Sequence, residues 1–143
     1  MSRYGLLNCH FSVEWGGTRL GFVEVTGLDI HVDVAAFREG DSPDLGEKKM
    51  PGLRRYSNIV LKRVVQEQDN DFYAWINTQK LNTVERRDVT IRLLNEQHQP
   101  VIVWKISNAF PVRYSGPTLN AQGTDVAMEE LELAHEGLSV ERI

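Results

Sequence analysis

The residues of this chain with chemistry to offer are four histidines, one cysteine and a cluster of carboxylates. His10, His31, His98 and His135 stand far apart, with no H-x-x-x-H or C-x-x-C spacing that would collect a metal ion, and read as scattered strand or surface side chains. Ser115 lies in Y-S-G-P, without the G-x-S-x-G elbow that exposes a nucleophile. Gly116, Gly123 and Gly137 are too dispersed to cradle a phosphate at a strand-to-helix turn. Glu129, Glu130 and Glu132 are close in sequence, but carboxylate-pair hydrolysis needs two carboxylates facing each other across a cleft. On a strand, Glu130 and Glu132 share one face, while Glu129 shares the other with Leu131 and Leu133. A solvated acidic strip is the plainer reading. No catalytic residue, metal ligand or cofactor is expected.

Basic residues come in pairs: Lys48-Lys49, Arg54-Arg55, Lys62-Arg63 and Arg86-Arg87. Acids lie near each of them, among them Asp44, Glu47, Glu67, Asp69, Glu85 and Asp88. A nucleic-acid groove interleaves basic residues with exposed aromatics, and only Tyr56 is placed to do so. With 16 basic against 20 acidic residues the formal charge is −4, which disfavours nucleic acid as the main partner. Interspersed charges of both signs suit contact between subunits, where they set register and reject wrong partners.

The elements that must carry these residues are mostly strands. Phe11, Val13 and Trp15 alternate with polar residues, and Gly16-Gly17 offers a two-residue hairpin turn into a second strand over 20–26. Ile30, Val32 and Val34 mark a third strand. Residues 41–54 hold two prolines, two glycines and several charges without a period, so a long exposed loop or extended hairpin is expected. Strands follow over 57–64, 88–94, 101–107, 112–114 and 126–135, with breaks at Pro111 and at Gly116-Pro117. One helix is expected over 69–80, capped by Asp69, Asn70 and Asp71, with Phe72, Trp75, Ile76 and Gln79 on one face. The aromatic cluster reads as core, and Trp75 and Trp104 are expected to be mostly buried. The sum is a mainly β fold, a small barrel or sandwich of about eight antiparallel strands, with one α-helix and a long protruding loop.

At 143 residues a single domain is the default, long enough to bury a core without staples. The lone Cys9 excludes a disulfide within the chain and reads as a small apolar residue of the first strand. Residues 1–7 lack the pattern of a secretory leader, and the longest apolar run, from Val34 to Phe37, is far too short to span a bilayer. Synthesis in a reducing cytoplasm without a leader or membrane anchor is the expectation.

An ordered series of motifs covers nearly the whole chain. These are V-T-G-L-D at 25–29, F-R-E-G at 37–40, K-M-P-G at 49–52 and N-I-V-L-K-R at 58–63. F-Y-A-W-I at 72–76, R-R-D-V-T-I at 86–91, W-K-I-S-N-A-F-P at 104–111 and A-M-E-E-L-E-L at 127–133 complete it. In this order and spacing they resemble the tail-tube proteins of contractile phage tails and of extracellular contractile injection systems. A more distant similarity is to the hemolysin-coregulated tube proteins of type VI secretion. The resemblance implies a non-enzymatic subunit that forms hexameric rings, stacked into an inner tube with a central channel. It implies sheath and baseplate proteins as partners, protein cargo in the channel, and nucleic acid only in a true phage tail. The finished particle would be extracellular, membrane-docked or a virion. The loop that reaches the next ring maps onto 41–55, with Asp44, Glu47, Lys48, Lys49, Met50, Pro51, Leu53, Arg54 and Arg55 as contact residues. Lys62, Arg63, Arg86, Arg87, Glu130 and Glu132 would supply charges at subunit interfaces or along the channel. Two other readings stand beside it: a tube-initiating baseplate subunit of the same particle, and a carbohydrate- or peptide-binding β-barrel module. The latter would display Trp15, Trp75 or Trp104 in an exposed groove.

Overall fold

The computed structural model describes residues 5–19 and 21–143. Met1 to Tyr4, part of the stretch read for a leader, and Leu20, the expected start of the second strand, lie outside the described residues. Ten strands and one helix follow in the order β1 (Phe11–Glu14), β2 (Thr18–Arg19), β3 (Phe22–Thr26), β4 (Ile30–Phe37), β5 (Lys48–Tyr56) and β6 (Ile59–Val64). Then come α1 (Asp71–Ile76), β7 (Arg87–Leu94), β8 (Pro100–Ser115), β9 (Met128–Ala134) and β10 (Gly137–Arg142).

All pairings are antiparallel. The main sheet runs β2-β1-β7-β8-β9-β6-β3, with β10 added on β8, and β4 and β5 pair separately with each other. The path stays open at β2 and β3, so the arrangement is sandwich-like and not a closed barrel. β8 joins its two halves: Ile102 to Ser107 pair with β10 on one side while the same stretch pairs with β7 on the other. Beyond Ala109 the strand turns to β9 instead.

That turn explains why Pro111 does not end the strand. Proline cannot donate to a ladder and is tolerated at bulges. The register on β9 shifts between Pro111 and Arg113, so the missing donor falls at the irregularity. A second irregularity lies opposite β7, where Asn108 adopts φ +52° and its N–H donates to Asp88 Oδ1 at 3.0 Å. The two separate strands expected at 101–107 and 112–114 are therefore one strand of 16 residues, bent and not broken.

Other expectations shift by a few residues. Glu14 pairs with Thr18, so the first hairpin closes over Trp15, Gly16 and Gly17, and Trp15 turns into the core. Gly21, at φ +82°, precedes the strand expected from 20, which is described from Phe22. Cys9 is exposed and precedes β1, so it is not a strand residue. The helix is one and a half turns long, not three. It stops at Ile76, where the Thr78 hydroxyl donates to the Trp75 carbonyl, and Gln79 lies beyond it and exposed. Asn70 occupies the N-cap without a side-chain bond, and Asp69 Oδ1 accepts the Asp71 N–H at 3.1 Å in its place. β10 adds a strand to those expected from sequence, although Leu138 and Val140 alternate with Ser139 and Glu141 as a short strand should.

The core lies between the two halves of the sheet and is closed by α1. Val13, Trp15, Val89, Ile91, Ile106 and Leu138 meet Ile59, Leu61, Leu131 and Leu133 there, with Phe72 and Trp75 from the helix fully buried. Trp75 Nε1 donates to the Glu85 carbonyl at 2.8 Å, which satisfies the indole that burial would otherwise strand. Truncating either helix aromatic would cost about 3–5 kcal/mol, more than most of a marginal domain's reserve can spare.

Gly27 fixes how the separate hairpin leaves this body. Its φ is +93°, and a Cβ there would stand 2.0 Å from the Asn58 carbonyl oxygen. Both the left-handed backbone and the backbone contact forbid a side chain. Gly27→Ala is therefore expected to lower stability by about 2–4 kcal/mol. Gly16→Ala, where a Cβ meets nothing, should cost less. Urea unfolding of the two variants side by side reads the difference, and equal losses would contradict the close contact at Gly27.

Candidate assembly surfaces

β4 and β5 form an arm that pairs with no other strand among the described residues. All residues of the two strands are exposed except Asp33 and Tyr56, which are half-buried. At its root, Ile30 stands opposite Tyr56, whose ring packs against His135 with centroids 5.4 Å apart. The His135 ring also lies 3.0 Å from the Ser57 carbonyl and 3.1 Å from that of Gly137. Midway, Asp33 faces a bulge at Gly52 and Leu53 and accepts a 2.7 Å hydrogen bond from Arg55. The tip is not structureless. Arg38 folds it by donating to the carbonyls of Asp44 at 3.0 Å and Ser42 at 3.3 Å. Residues 41–54 are thus the tip and returning strand of an extended hairpin, one of the two forms expected.

The nine arm residues singled out from sequence fall together on this element. Asp44 and Glu47 lie in the tip, and Lys48, Lys49, Met50, Pro51, Leu53, Arg54 and Arg55 form β5. Their apolar neighbours are on both sides. By strand alternation and register, Ile30, Val32, Val34 and Pro51 share one face, and Ala35, Phe37 and Met50 the other. All of these are exposed. The length and charge of the arm are legible in its sequence, but its two apolar faces appear only with the β4–β5 register.

The second set of residues divides. Lys62, Glu130 and Glu132 share the outward face of the main sheet, where Lys62 is the register partner of Glu130. Arg113, which sequence reasoning missed, bridges them, donating to Glu132 Oε1 at 3.3 Å and Glu130 Oε2 at 3.4 Å. These bonds, that to Glu132 foremost, push the Arg113 guanidinium above its ordinary value. Asn58 Nδ2 donates to Glu132 at 2.9 Å and, with Arg113, holds that carboxyl below the usual carboxylate range. Arg86 and Arg87 lie apart from this face. Arg86 pairs with Glu136 at 3.0 Å and covers Phe110, while Arg87 pairs with Glu85 at 3.1 Å and covers Trp75.

Arg63 is not the interface or channel charge expected from its sequence, because it has no surface at all. It is fully buried on the inward face of β6 behind Ile59 and Leu61. Its Nε donates to Glu129 at 2.8 Å and its two terminal nitrogens to Asp69 at 3.1 and 3.2 Å. The guanidinium lies over the Phe72 ring at 4.1 Å. The Tyr114 hydroxyl donates to the other Glu129 oxygen at 2.8 Å, and burial, then this bond, raises its pKa. Strand alternation from Ile59 and Leu61 carries the signal for an inward Arg63, but a basic pair in sequence masks it.

Among the described residues no group of three or more His, Cys, Asp or Glu is arranged to hold a metal ion. Trp15 and Trp75 are buried and Trp104 is half-buried, so none lies open in a groove. What remains is an exposed apolar arm, a self-paired charged face, and a core.

Residues 7–139 match the family model of the T4-like virus tail tube protein gp19. The chain belongs to that tail tube family. The tail tube chain is also similar to a chain of the sheath–tube complex of an extracellular contractile injection system, PVC, in its extended state. There the identity is 32%, the TM-score 0.89, and the match covers 99% of this chain and 94% of the other. It is similar to a chain of the tube-terminating cap of the anti-feeding prophage, at 31% identity and TM-score 0.91, over 100% and 95% of the two chains. Its fold, though not more, is shared with Hcp1 from Flavobacterium johnsoniae, at 14% identity and TM-score 0.60, over 91% and 93%. No curated protein matches the chain. The tail tube chain is a structural tube protein, and no helix among its described residues is long and apolar enough to cross a membrane.

The buried pair carries a stability prediction. Arg63→Met leaves Glu129 buried without its cation, which should cost about 3–5 kcal/mol. Adding Glu129→Leu removes the stranded charge and should recover part of that loss. Denaturant unfolding of the single and double variants decides it. A double variant less stable than the single one would mean that the pair is not what the site depends on.

Proposed function

We propose that this chain is the repeating inner-tube subunit of a phage-tail-like contractile injection particle. Six copies form a ring around a central channel, and rings stack into a tube within a sheath. Likeness at 32% identity, over nearly the whole of both chains, to a chain of a sheath–tube complex supports this reading most directly. The corresponding identity to a chain of the anti-feeding prophage baseplate is 23%, which favours the repeating tube over a baseplate initiator. The chain acts as one domain, needs no cofactor and catalyses nothing. Its partners are its own copies, the sheath and the baseplate, and the channel takes protein cargo in preference to nucleic acid. The particle works outside the cell that makes it.

The arm supports the assembly part of the reading physically. A two-stranded ribbon with apolar side chains on both faces is marginal in water without cover. Rings and stacks need two kinds of contact between copies, one that closes and one that does not, and the arm is built to provide the second.

Negative-stain electron microscopy of the purified protein tests this. Six-fold rings that extend into long tubes support the repeating subunit, and rings that never extend support the initiator. Monodisperse monomers, even beside the other particle components, would overturn both. Met50→Asp, or deletion of residues 48–53, should leave the melting temperature close to that of the parent while stopping ring stacking. Tubes of normal length from the deletion would remove the arm from the stacking contact.

A further inference from the structure

His10 and His98 lie far apart in sequence, yet their ring centroids stand 4.9 Å apart, with 69° between the ring planes. The sheet brings them together. His10 precedes β1, and its carbonyl accepts the N–H of Leu94, the last residue of β7, at 2.8 Å. The turn that follows folds His98 back toward β1. Asn95 holds that turn. Its N–H donates to the Gln99 carbonyl at 3.0 Å, and its carbonyl accepts the His98 N–H at 2.9 Å. Its side-chain oxygen accepts the N–H groups of Gln97 and Gln99 at 3.0 Å each. His98 itself takes φ +59°, left-handed backbone that Gly or Asn adopts more readily.

The separation of the rings matches two imidazoles on one metal ion. A metal–nitrogen distance of about 2.0–2.1 Å, with about 1.1 Å more to the ring centre, puts the centroids of two ligating rings ~4.5–5.2 Å apart at octahedral to tetrahedral angles. The observed 4.9 Å lies within that span. His10 is half-buried beside β7, whereas His98 is exposed and can turn its ring toward the shared point. His10 also lines a cleft of about 730 Å³, so further coordination positions open onto room for water. Glu96 and Arg142 line the same cleft and offset each other in charge. The other two histidines offer no such pair. His135 turns both ring nitrogens to the carbonyls of Ser57 and Gly137, and His31 stands on the arm opposite Arg55.

We propose that His10 and His98 form a two-imidazole site for a divalent transition-metal ion, Zn²⁺, Ni²⁺ or Cu²⁺. Imidazole suits these ions, and the usual order of affinity puts Cu²⁺ first. Mg²⁺ and Ca²⁺ take oxygen ligands and gain nothing from two ring nitrogens. Water fills the remaining positions, so the ion is held reversibly. The fold stands on its own core without it. When bound, the ion ties the residue before β1 to the β7–β8 turn and stabilises the folded chain by mass action. The site is separate from the arm and does not depend on the tube reading.

Calorimetric titration of the purified full chain with ZnCl2, NiCl2 and CuCl2 tests it, in a Cys9→Ser background so that the exposed thiol takes no part. The expected result is one ion per chain, Cu²⁺ the tightest, with no binding of MgCl2. Asn tolerates the positive φ, so His98→Asn should fold as the parent does while weakening binding about tenfold or more. His10→Gln should do the same, and the double variant should lose little more than either single one, because the two rings act as a unit. His31→Gln should change nothing. On addition of Zn²⁺ the imidazole NMR signals of His10 and His98 should shift together. Should His10→Gln fail to fold, His98→Asn alone decides. No binding of any of the three ions, or an affinity unchanged by His98→Asn, would overturn the site. Binding present in the parent but lost in Cys9→Ser alone would overturn it too, since the ion would then belong to the thiol.

Discussion

A guanidinium without access to water sits between the helix and the main sheet. Arg63 could not stay charged there alone, because a buried unpaired ion costs several kcal/mol in desolvation. It is held by Glu129 from β9 and by both oxygens of Asp69 just before α1, and Phe72 from the helix lies beneath it. Each partner comes from a different element, so the cluster forms only when strand, strand and helix are all in place. Asp69 does two tasks at once, since the oxygen that meets Arg63 also accepts the first N–H of the helix. A helix of one and a half turns has little stability of its own. Its position is set by this ion cluster and by the burial of Phe72 and Trp75.

Beside that body, the arm is the one large element left uncovered among the described residues. Its strands satisfy each other's backbone, and Arg38 closes the tip over two carbonyls, so it is ordered without being packed. The root is clamped from three sides, by the close approach of Gly27 to Asn58, by the Tyr56–His135 contact and by the His135–Ser57 contact. A clamped root and a bare blade suit an element whose cover comes from outside. Flexible loops that order on binding give up affinity to the ordering; a preformed ribbon does not.

How far these features could be read from residues alone follows their range. The alternation of Ile59 with Leu61, or of Leu131 with Leu133, is local, and the strands and their inward faces were legible from it. So was the burial of Phe72 and Trp75. The opposed directions of Glu129 and its neighbours Glu130 and Glu132 were legible for the same reason. The bend at Pro111 was not, because whether a proline breaks a strand or sits in a bulge depends on its cross-strand neighbours. Arg63 was misplaced because its partners lie 6 and 66 residues away, and pairing of that kind leaves no mark in the surrounding sequence. The two apolar faces of the arm hid for a related reason. A single strand shows its own alternation, but which residues of β5 join which residues of β4 is set by a register and a bulge that only the fold reveals.

The distribution of satisfied and unsatisfied charge sharpens the distinction between body and arm. On the outward face of the main sheet Glu130 and Glu132 are two positions apart, a spacing at which like charges repel, and Arg113 bridges them. Arg86, Arg87, Arg92 and Lys105 likewise each meet a carboxylate on the body. These charges are already answered within the chain and do not require a neighbour. On the arm, Arg55 has Asp33, but Lys48, Lys49 and Arg54 form no ion pair among the described residues. Exposed pairs add little stability in themselves; their value here is that they mark where the chain is complete. Unpaired cations and exposed apolar side chains stand side by side on this ribbon. A surface that lacks both kinds of partner at once is better explained by an absent protein neighbour than by solvent, since water would serve the lysines but not Val34 or Met50.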